Sequence, residues 1–542
     1  MPIFFLEEIL KFQYNTNITI EEYEKYAKNL NQLVKEKLKL REKLLSCYLI
    51  RKSLDARKKP KLYFNLKFII EVTGKDQEIL LKKKTISHYK EIPERKLPVG
   101  QRILAKPPVI VGSGPAGLFC AYQLALNGFK PIIIEQGAAL EKRIKIVDEY
   151  ITQGIFNEST NIAFGEGGAG TFSDAKLTSR SKNPLLVKVL ETLVEFGAAE
   201  EILYVNNPHL GTDGIRKVVL GLREKIIELG GEFYFETRFL DFQQDLEQDF
   251  IRIETDKGMI ESGLLVLAIG HSSRATTRRL LNKGLPAKAK GFSVGFRIEH
   301  KATFINKSQY GRDDEIVKKL LGNSDYHLTY KGEKGVYSFC MCPGGYVVPS
   351  NSNKEEIVTN GMSYSDRGGE LSNSAIVATV NSEDFGDDPF EALAYQERIE
   401  KEAYKITGQN YKALGQNATD FIEGKASEDI KVDFQPSYKP GITLGDFNQL
   451  LPKEVSLAIK GALLDFNRKL PGFIKEGFLT GPETRTSSPI QFSRDELNKV
   501  LGYNEVYAIG EGAGFAGGIV SSAIDGLRTG ENIILEYRGL GE

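Results

Sequence analysis

The residues with the clearest chemical use form one run, Gly112-Ser113-Gly114-Pro115-Ala116-Gly117. This GxGxxG pattern follows the apolar stretch Val109-Ile110-Val111 and opens a helical segment, the setting in which it binds a dinucleotide. Gly112 supplies a tight turn, Gly114 lets backbone approach a pyrophosphate, and Gly117 permits close packing of helix on strand. The helix amino terminus offers unpaired amides and the positive end of its dipole to the phosphates. Glu135 lies 23 residues beyond Gly112, at the end of a second apolar run. An acid there can accept hydrogen bonds from an adenosine ribose, and it disfavours a 2′-phosphate. Gln136 beside it and Arg143 in the next helix complete the candidates of this unit, which is compatible with FAD or NAD.

A second glycine-rich segment lies near the carboxyl end. Val506 to Ile509 reads as a buried strand, Gly510-Glu511-Gly512 as a tight turn carrying an acid, and Gly517-Gly518 as the lead into a helix starting at Ile519. This run resembles the flavoprotein pattern in which an apolar strand ends in Gly-Asp. The resemblance implies that the acid, here Glu511, holds a ribityl hydroxyl and that the following helix aims its amino terminus at the flavin pyrimidine. A positive helix end at that place stabilises negative charge developing on the ring as it is reduced.

More closely, the chain resembles the bacterial family of uncharacterised FAD-dependent dehydrogenases, also called NAD(FAD)-utilising dehydrogenases. The carriers are RKSLDARKK (Arg51 to Lys59), GSGPAG, FGEGGAGTFSDAKLTSR (Phe164 to Arg180), PHLGTD (Pro208 to Asp213), ETRTSSPI (Glu483 to Ile490) and GEGAGFAGGIVSSA (Gly510 to Ala523). The resemblance implies a two-dinucleotide-binding-domain flavoprotein with FAD as cofactor. It marks a third cofactor loop. Gly165, Gly168 and Gly170 give a backbone that can wrap around the cofactor, Thr171, Ser173 and Asp174 offer hydrogen bonds, and Lys176 can offset negative charge.

A flavin carries out the hydride or electron transfer itself, so the protein must present the substrate and supply any proton. Gly270 and His271 follow the apolar run LLVLAI, another strand end where related flavoproteins touch FAD. Glu483 and Arg485 sit in GPETRTSSPI, a segment too polar for core, where Arg485 can bind an anionic substrate. His271, Glu483 and Arg485 are therefore the catalytic candidates. His209, Arg297 and His300 are secondary ones. Cys340-Met-Cys342 can be a redox pair, although so short a spacing strains a disulfide. No metal-binding spacing occurs. No second βαβ unit built on such a turn is evident, so any NADH or NADPH is expected to bind transiently as an electron donor.

The elements that must position these residues read as four regions. Residues 1–98 form a small basic α+β domain, with helix expected over Ile20 to Leu45 and strand over Leu62 to Val72. A Pro-containing linker around Pro93 and Pro98 leads to residues 99–289, the first part of a Rossmann-like α/β domain. Residues 290–435 read as an inserted antiparallel, β-rich substrate or cap domain. Residues 436–542 return to the FAD-binding fold.

The 542 residues are 41% apolar, enough for a large core, with no apolar run long enough to span a bilayer and no signal peptide evident. Four scattered cysteines exclude a disulfide framework and suggest the cytoplasm. Net charge is zero, but residues 1–100 carry an excess of roughly +9. The leading expectation is an FAD-dependent oxidoreductase acting on a small organic molecule. Alternatives are a nucleic-acid-directed, RNA-modifying flavoenzyme, from the basic runs at Arg51 to Lys61 and Lys82 to Lys84, and a non-catalytic flavoprotein whose amino-terminal domain docks a protein partner.

Overall fold

The computed structural model describes residues 10–40, 44–72, 75–90, 97–104, 106–178, 183–245 and 250–539. Pro93 of the expected linker and the last two residues of the FGEGG motif, 179 and 180, lie outside the described residues.

The chain divides into two compact units. The larger contains residues 97–198, 209–305 and 325–542. At its heart is a five-stranded parallel sheet in the order Val506–Ala508, Leu265–Leu267, Val109–Val111, Ile132–Ile134, Glu232–Tyr234. The strands are short, and three of them (VYA, LVL, VIV) are buried at every position. A strand covered on both faces has no polar side to alternate with, which is why these runs are continuously apolar.

Helix Pro115–Ala125 follows the first of these strands in sequence, and helix Ile519–Glu536 follows the last. The two helices pack backbone to backbone where Gly526 meets Ala116, a position with no room for a side chain. A hairpin layer, Phe239–Asp245 with Phe250–Thr255 and Gly258–Ser262, completes this half.

A seven-stranded sheet forms the other half of the larger unit. Its order is Thr329–Lys331, Gly335–Cys342, Leu371–Val380, Phe292–Lys301, Phe478–Glu483, Ala413–Asn417, Ile442–Leu444, antiparallel except for the last pair. Helices Pro389–Ile406 and Lys453–Lys469 contribute Ile399, Ala403, Ile459 and Phe466 to the core it shares with Phe296, Ile376 and Phe447. The fold is thus a mixed α/β one, a Rossmann-like domain accompanied by an antiparallel sheet.

The smaller unit gathers residues 1–96, 199–208 and 306–324. Its four-stranded antiparallel sheet runs Ser46–Asp55, Tyr63–Val72, Leu10–Thr19, Ile86–His88. The helical stretch expected after Ile20 is two helices, Ile20–Tyr26 and Leu30–Leu38. Asn29 breaks them by capping the second, its side chain accepting from the Gln32 amide. Part of the basic run is used within the unit. The Lys52 ammonium lies 4.2 Å from the Tyr23 ring and 4.5 Å from the Phe64 ring, and Arg57 pairs with Asp55 at 2.6 Å.

Candidate functional site: a cavity where four glycine-rich segments meet

The parallel sheet ends its strands at one edge, where the turns at Gly112, Gly270 and Gly510 leave it, and the loop at Gly165 arrives there after helix Leu140–Gln153. They converge on a cavity of about 430 Å³ in the larger unit, a volume typical of small-molecule sites. One wall holds Gly112, Gly114, Pro115, Ala116, Glu135 and Gln136, with Gly165, Gly168, Gly170, Ser173 and Lys176 from the third loop. Gly270 and His271 join them, as do Gly510, Glu511, Gly517, Gly518 and Ile519. The opposite wall comes from the antiparallel half and includes Phe339, Cys340, Asn360, Glu483 and Arg485.

Ser113, Gly117, Arg143 and Thr171 do not line the cavity but sit behind it. Gly117 packs its helix against the turn at Gly112. Ser113 donates through its amide and hydroxyl to Glu135 Oε2, at 3.1 and 2.8 Å. The amides of Gly137 and Gly165 donate to Oε1 at 2.9 and 3.1 Å. One buried carboxylate therefore ties the first turn, the second strand end and the third loop together. These four protein donors occupy the lone pairs expected to meet a ribose.

Arg143, wholly buried, does the same for the third loop from inside. Its guanidinium donates to the carbonyls of Asn161, Ile162, Gly165, Glu166 and Gly168 and to Thr171 Oγ1, at 2.6–3.1 Å. Burial lowers its affinity for the proton, and the ring of carbonyl dipoles stands in for water. Glu166 lies close by. It accepts from the Leu140 amide at 2.7 Å and from Arg223 at 2.8 Å, while its Oε1 is buried without a partner among the described residues. Burial pushes its carboxyl up to about 7.

The cavity fits FAD on three counts. A side-chain carbon placed on Gly270, Gly517 or Gly518 would meet nothing within 4 Å, and at Gly114 the nearest atom is 3.9 Å away, so the backbone there is bare toward the space. Helices Pro115–Ala125 and Ile519–Glu536 start with Gly114 and Gly518, neither of which supplies a side-chain cap, leaving the first-turn amides for a ligand. Lys176 adds a cation to the wall, its Nζ donating to the Met341 carbonyl. Gly114 and its helix would hold the pyrophosphate, and the Gly517-Gly518 turn the flavin ring.

The three catalytic candidates share the cavity but have different surroundings. His271 Nδ1 lies 3.3 Å from Glu511 Oε2, and its Nε2 is buried with no partner among the described residues. Glu483 is gripped by Arg297, Nε to Oε2 at 2.7 Å and Nη2 to Oε1 at 3.0 Å, and burial pushes its carboxyl up to about 7 against the opposing pull of that arginine. Arg297 also donates to the Cys340 carbonyl and to Asn373 and Asn360 Oδ1.

Arg485 joins a buried ionic cluster. It donates to Glu400 at 3.1 and 2.7 Å, to Glu356 at 2.8 Å and to Ser352 at 2.6 Å, and Arg274 binds the same Glu400 at 2.7 and 2.6 Å. Burial works against the Glu400 charge, but the two arginines overrule it and hold its carboxyl far below the ordinary range. With four bonds formed, Arg485 keeps at most one N–H for an anionic ligand.

The secondary candidates fall elsewhere. His300 is a core residue, its Nε2 against the Phe473 carbonyl at 2.8 Å, and burial drops its pKa to about 4. His209 Nε2 meets the Ser365 carbonyl at 3.0 Å. Asn360 and Phe339 line the site without any sequence signal that could have singled them out. Asp525, also unforeseen, accepts from the Gly510 amide at 2.8 Å while paired to Arg494, and so fixes the last glycine turn. Its only signal was an acid nearly two helical turns inside a largely apolar helix.

Comparison with known proteins agrees with this geometry. A family model described as "FAD-dependent protein, C-terminal domain-like" matches residues 291–486, and a "NAD(P)-binding Rossmann-like domain" matches residues 110–140. An uncharacterised protein of Clostridium beijerinckii is 41% identical over 499 residues, covering 90% of this chain and 92% of the relative. Among solved structures, glycine oxidase from Geobacillus kaustophilus is similar with 12% identity, 80% of this chain and 95% of that one covered, and a TM-score of 0.35. The halogenase PltM is similar with 10% identity, 79% and 69% covered, and a TM-score of 0.37. Among the described residues no helix is long and apolar enough to cross a membrane. With a relative this similar along nearly its whole length and a domain match over the antiparallel half, the chain belongs to a family of FAD-dependent proteins, and FAD is its cofactor.

Proposed function

We propose that this chain is a flavin-dependent oxidoreductase acting on a small organic molecule held between the glycine-rich wall and the antiparallel sheet. The observation that carries the reading is the single cavity bounded by both, with His271, Lys176 and Glu483 on its surface. When bound, FAD supplies exchange of electrons or hydride with the substrate. The chain supplies the rest.

Glu511, 3.3 Å from Nδ1, fixes the His271 ring, the group that gives or takes the substrate proton. Phe339 contributes an apolar surface that excludes water, and Asn360 and Glu483 present polar groups that orient a ligand. Arg485, committed to Glu400 and Glu356, holds the wall in shape rather than binding the substrate. A nicotinamide donor would enter the same cavity transiently.

The test is purification with an absorbance spectrum, anaerobic titration with NADH and NADPH, and a screen of acceptors. Reduction of bound flavin by a nicotinamide, slowed in His271→Gln with FAD content unchanged, is the expected result. Bound flavin that responds to neither nicotinamide nor any acceptor would favour a non-catalytic flavoprotein instead.

A further inference from the structure

Cys340 and Cys342 lie on strand Gly335–Cys342, whose pairing with Leu371–Val380 slips between Phe339 and Cys342. The slip is a bulge. Cys340 has φ of 45°, a left-handed conformation that is strained for a non-glycine residue and clusters at functional sites. In a regular strand the Cα atoms of residues i and i+2 stand about 6.6 Å apart, near the upper limit for a disulfide. The bulge sets three residue steps, Phe339 to Cys342, against two of its partner, Ala375 to Asn373, and so compresses the segment that carries both cysteines. The Cys342 Sγ reaches back to the Cys340 carbonyl at 3.3 Å.

The surroundings favour a thiolate. Cys340 faces the cavity, while Cys342 lies wholly buried behind it. The neighbouring Cys342 thiol, with the charges of Arg297 and Lys176, holds the Cys340 thiol below the usual thiol range against the cost of burial. Cys342 is pushed the other way. The two other cysteines have no such setting: burial alone raises Cys47, and Cys120 sits in the core.

We propose that Cys340 and Cys342 form a redox-active dithiol that exchanges an electron pair with FAD bound in this cavity. The inference rests on the cavity being the FAD seat. In the forward direction a sulfur–sulfur bond forms between the Cys340 thiolate and Cys342, and the Cys342 S–H bond breaks. The two electrons and that proton pass to oxidised FAD. The thiols are oxidised, the flavin is reduced, and charge is conserved. The ring closed by so short a spacing is strained, which makes its disulfide easily reduced and suits a carrier rather than a structural bond.

The experiment equilibrates the full-length protein in glutathione buffers of graded potential, traps thiols with iodoacetamide, and maps peptides by mass. In parallel, the holoprotein is titrated anaerobically with dithionite. The expected result is paired loss of alkylation at Cys340 and Cys342 without a glutathione adduct, and uptake of two electron pairs per flavin. Cys342→Ser should take up one pair and form a glutathione adduct on Cys340 alone. A protein that shows visible flavin absorbance, takes up one electron pair, and keeps both thiols alkylated at every potential would overturn the proposal. Thiol mapping needs no flavin, so a colourless protein would refute the FAD seat while the mapping still decides whether the pair closes.

Discussion

Replacing Arg143 by Met keeps the aliphatic stem and deletes the guanidinium that braces the third cofactor loop. Five carbonyls and one hydroxyl lose a donor, although the Gly165 and Gly168 carbonyls keep another from the Gly168 amide and the Thr171 hydroxyl. At about 1–3 kcal/mol for each buried acceptor left unpaired, the full sum would exceed what single substitutions cost. The loop will relax instead, and the expected loss is about 3–5 kcal/mol, as for other broken buried charge networks. Because Gly165, Gly168 and Gly170 line the cavity, FAD must restore the loop order on binding. At 1.4 kcal/mol per tenfold, FAD affinity should fall at least about 100-fold. Titrating apoprotein with FAD by fluorescence measures this directly. An Arg143→Met protein that binds FAD within about threefold of wild type would refute the bracing argument.

Glu166 gives a pH signature. Its folded-state pKa is raised from 4.5 to about 7, so its contribution is complete below the unfolded value and is lost as pH rises through the folded one. Wild type should lose up to about 3 kcal/mol relative to Glu166→Gln as the pH rises from about 4.5 to about 7, read from urea midpoints at each pH. Glu400→Gln leaves Arg274 and Arg485 facing a neutral amide in a closed interior and should lower stability by about 3–5 kcal/mol; a midpoint within error of wild type would sink the structural role given to Arg485. His271→Gln should slow turnover with any working substrate by about 100-fold or more and abolish one limb of the pH profile. An unchanged profile would remove His271 from proton transfer.

How much of this was legible beforehand depended on whether the signal was local. The glycine runs at Gly112, Gly165 and Gly510 announced themselves because tight turns and bare backbone constrain residue type at fixed short spacing. The three-residue strands VIV and LVL stood out for a similar reason, since burial on both faces leaves no polar position. The ion pairs did not. Arg297 and Glu483 are separated by 186 residues and Arg274 and Glu400 by 126, and nothing near Glu483 or Arg485 says which charge will arrive to meet them. Read locally, Arg485 looked available to an anion; two glutamates from other elements claim it. The bulge at Cys340 was equally hidden, because its positive φ arises from a register slip against a strand some thirty residues away, and the Cys-Met-Cys spacing alone implied only strain.

The central claim is that the bare backbone at Gly114 is the seat of the FAD pyrophosphate. Gly114 has ordinary extended dihedrals, φ −74° and ψ −179°, and a Cβ placed there would make only an ordinary contact, 3.9 Å to the Gly168 Cα. Gly114→Val should therefore fold with a wild-type melting temperature when both proteins are stripped of cofactor, yet bind FAD at least about 100-fold more weakly, equivalent to roughly 2.7 kcal/mol. A Gly114→Val protein that folds and still carries one FAD per chain at wild-type affinity would contradict the account.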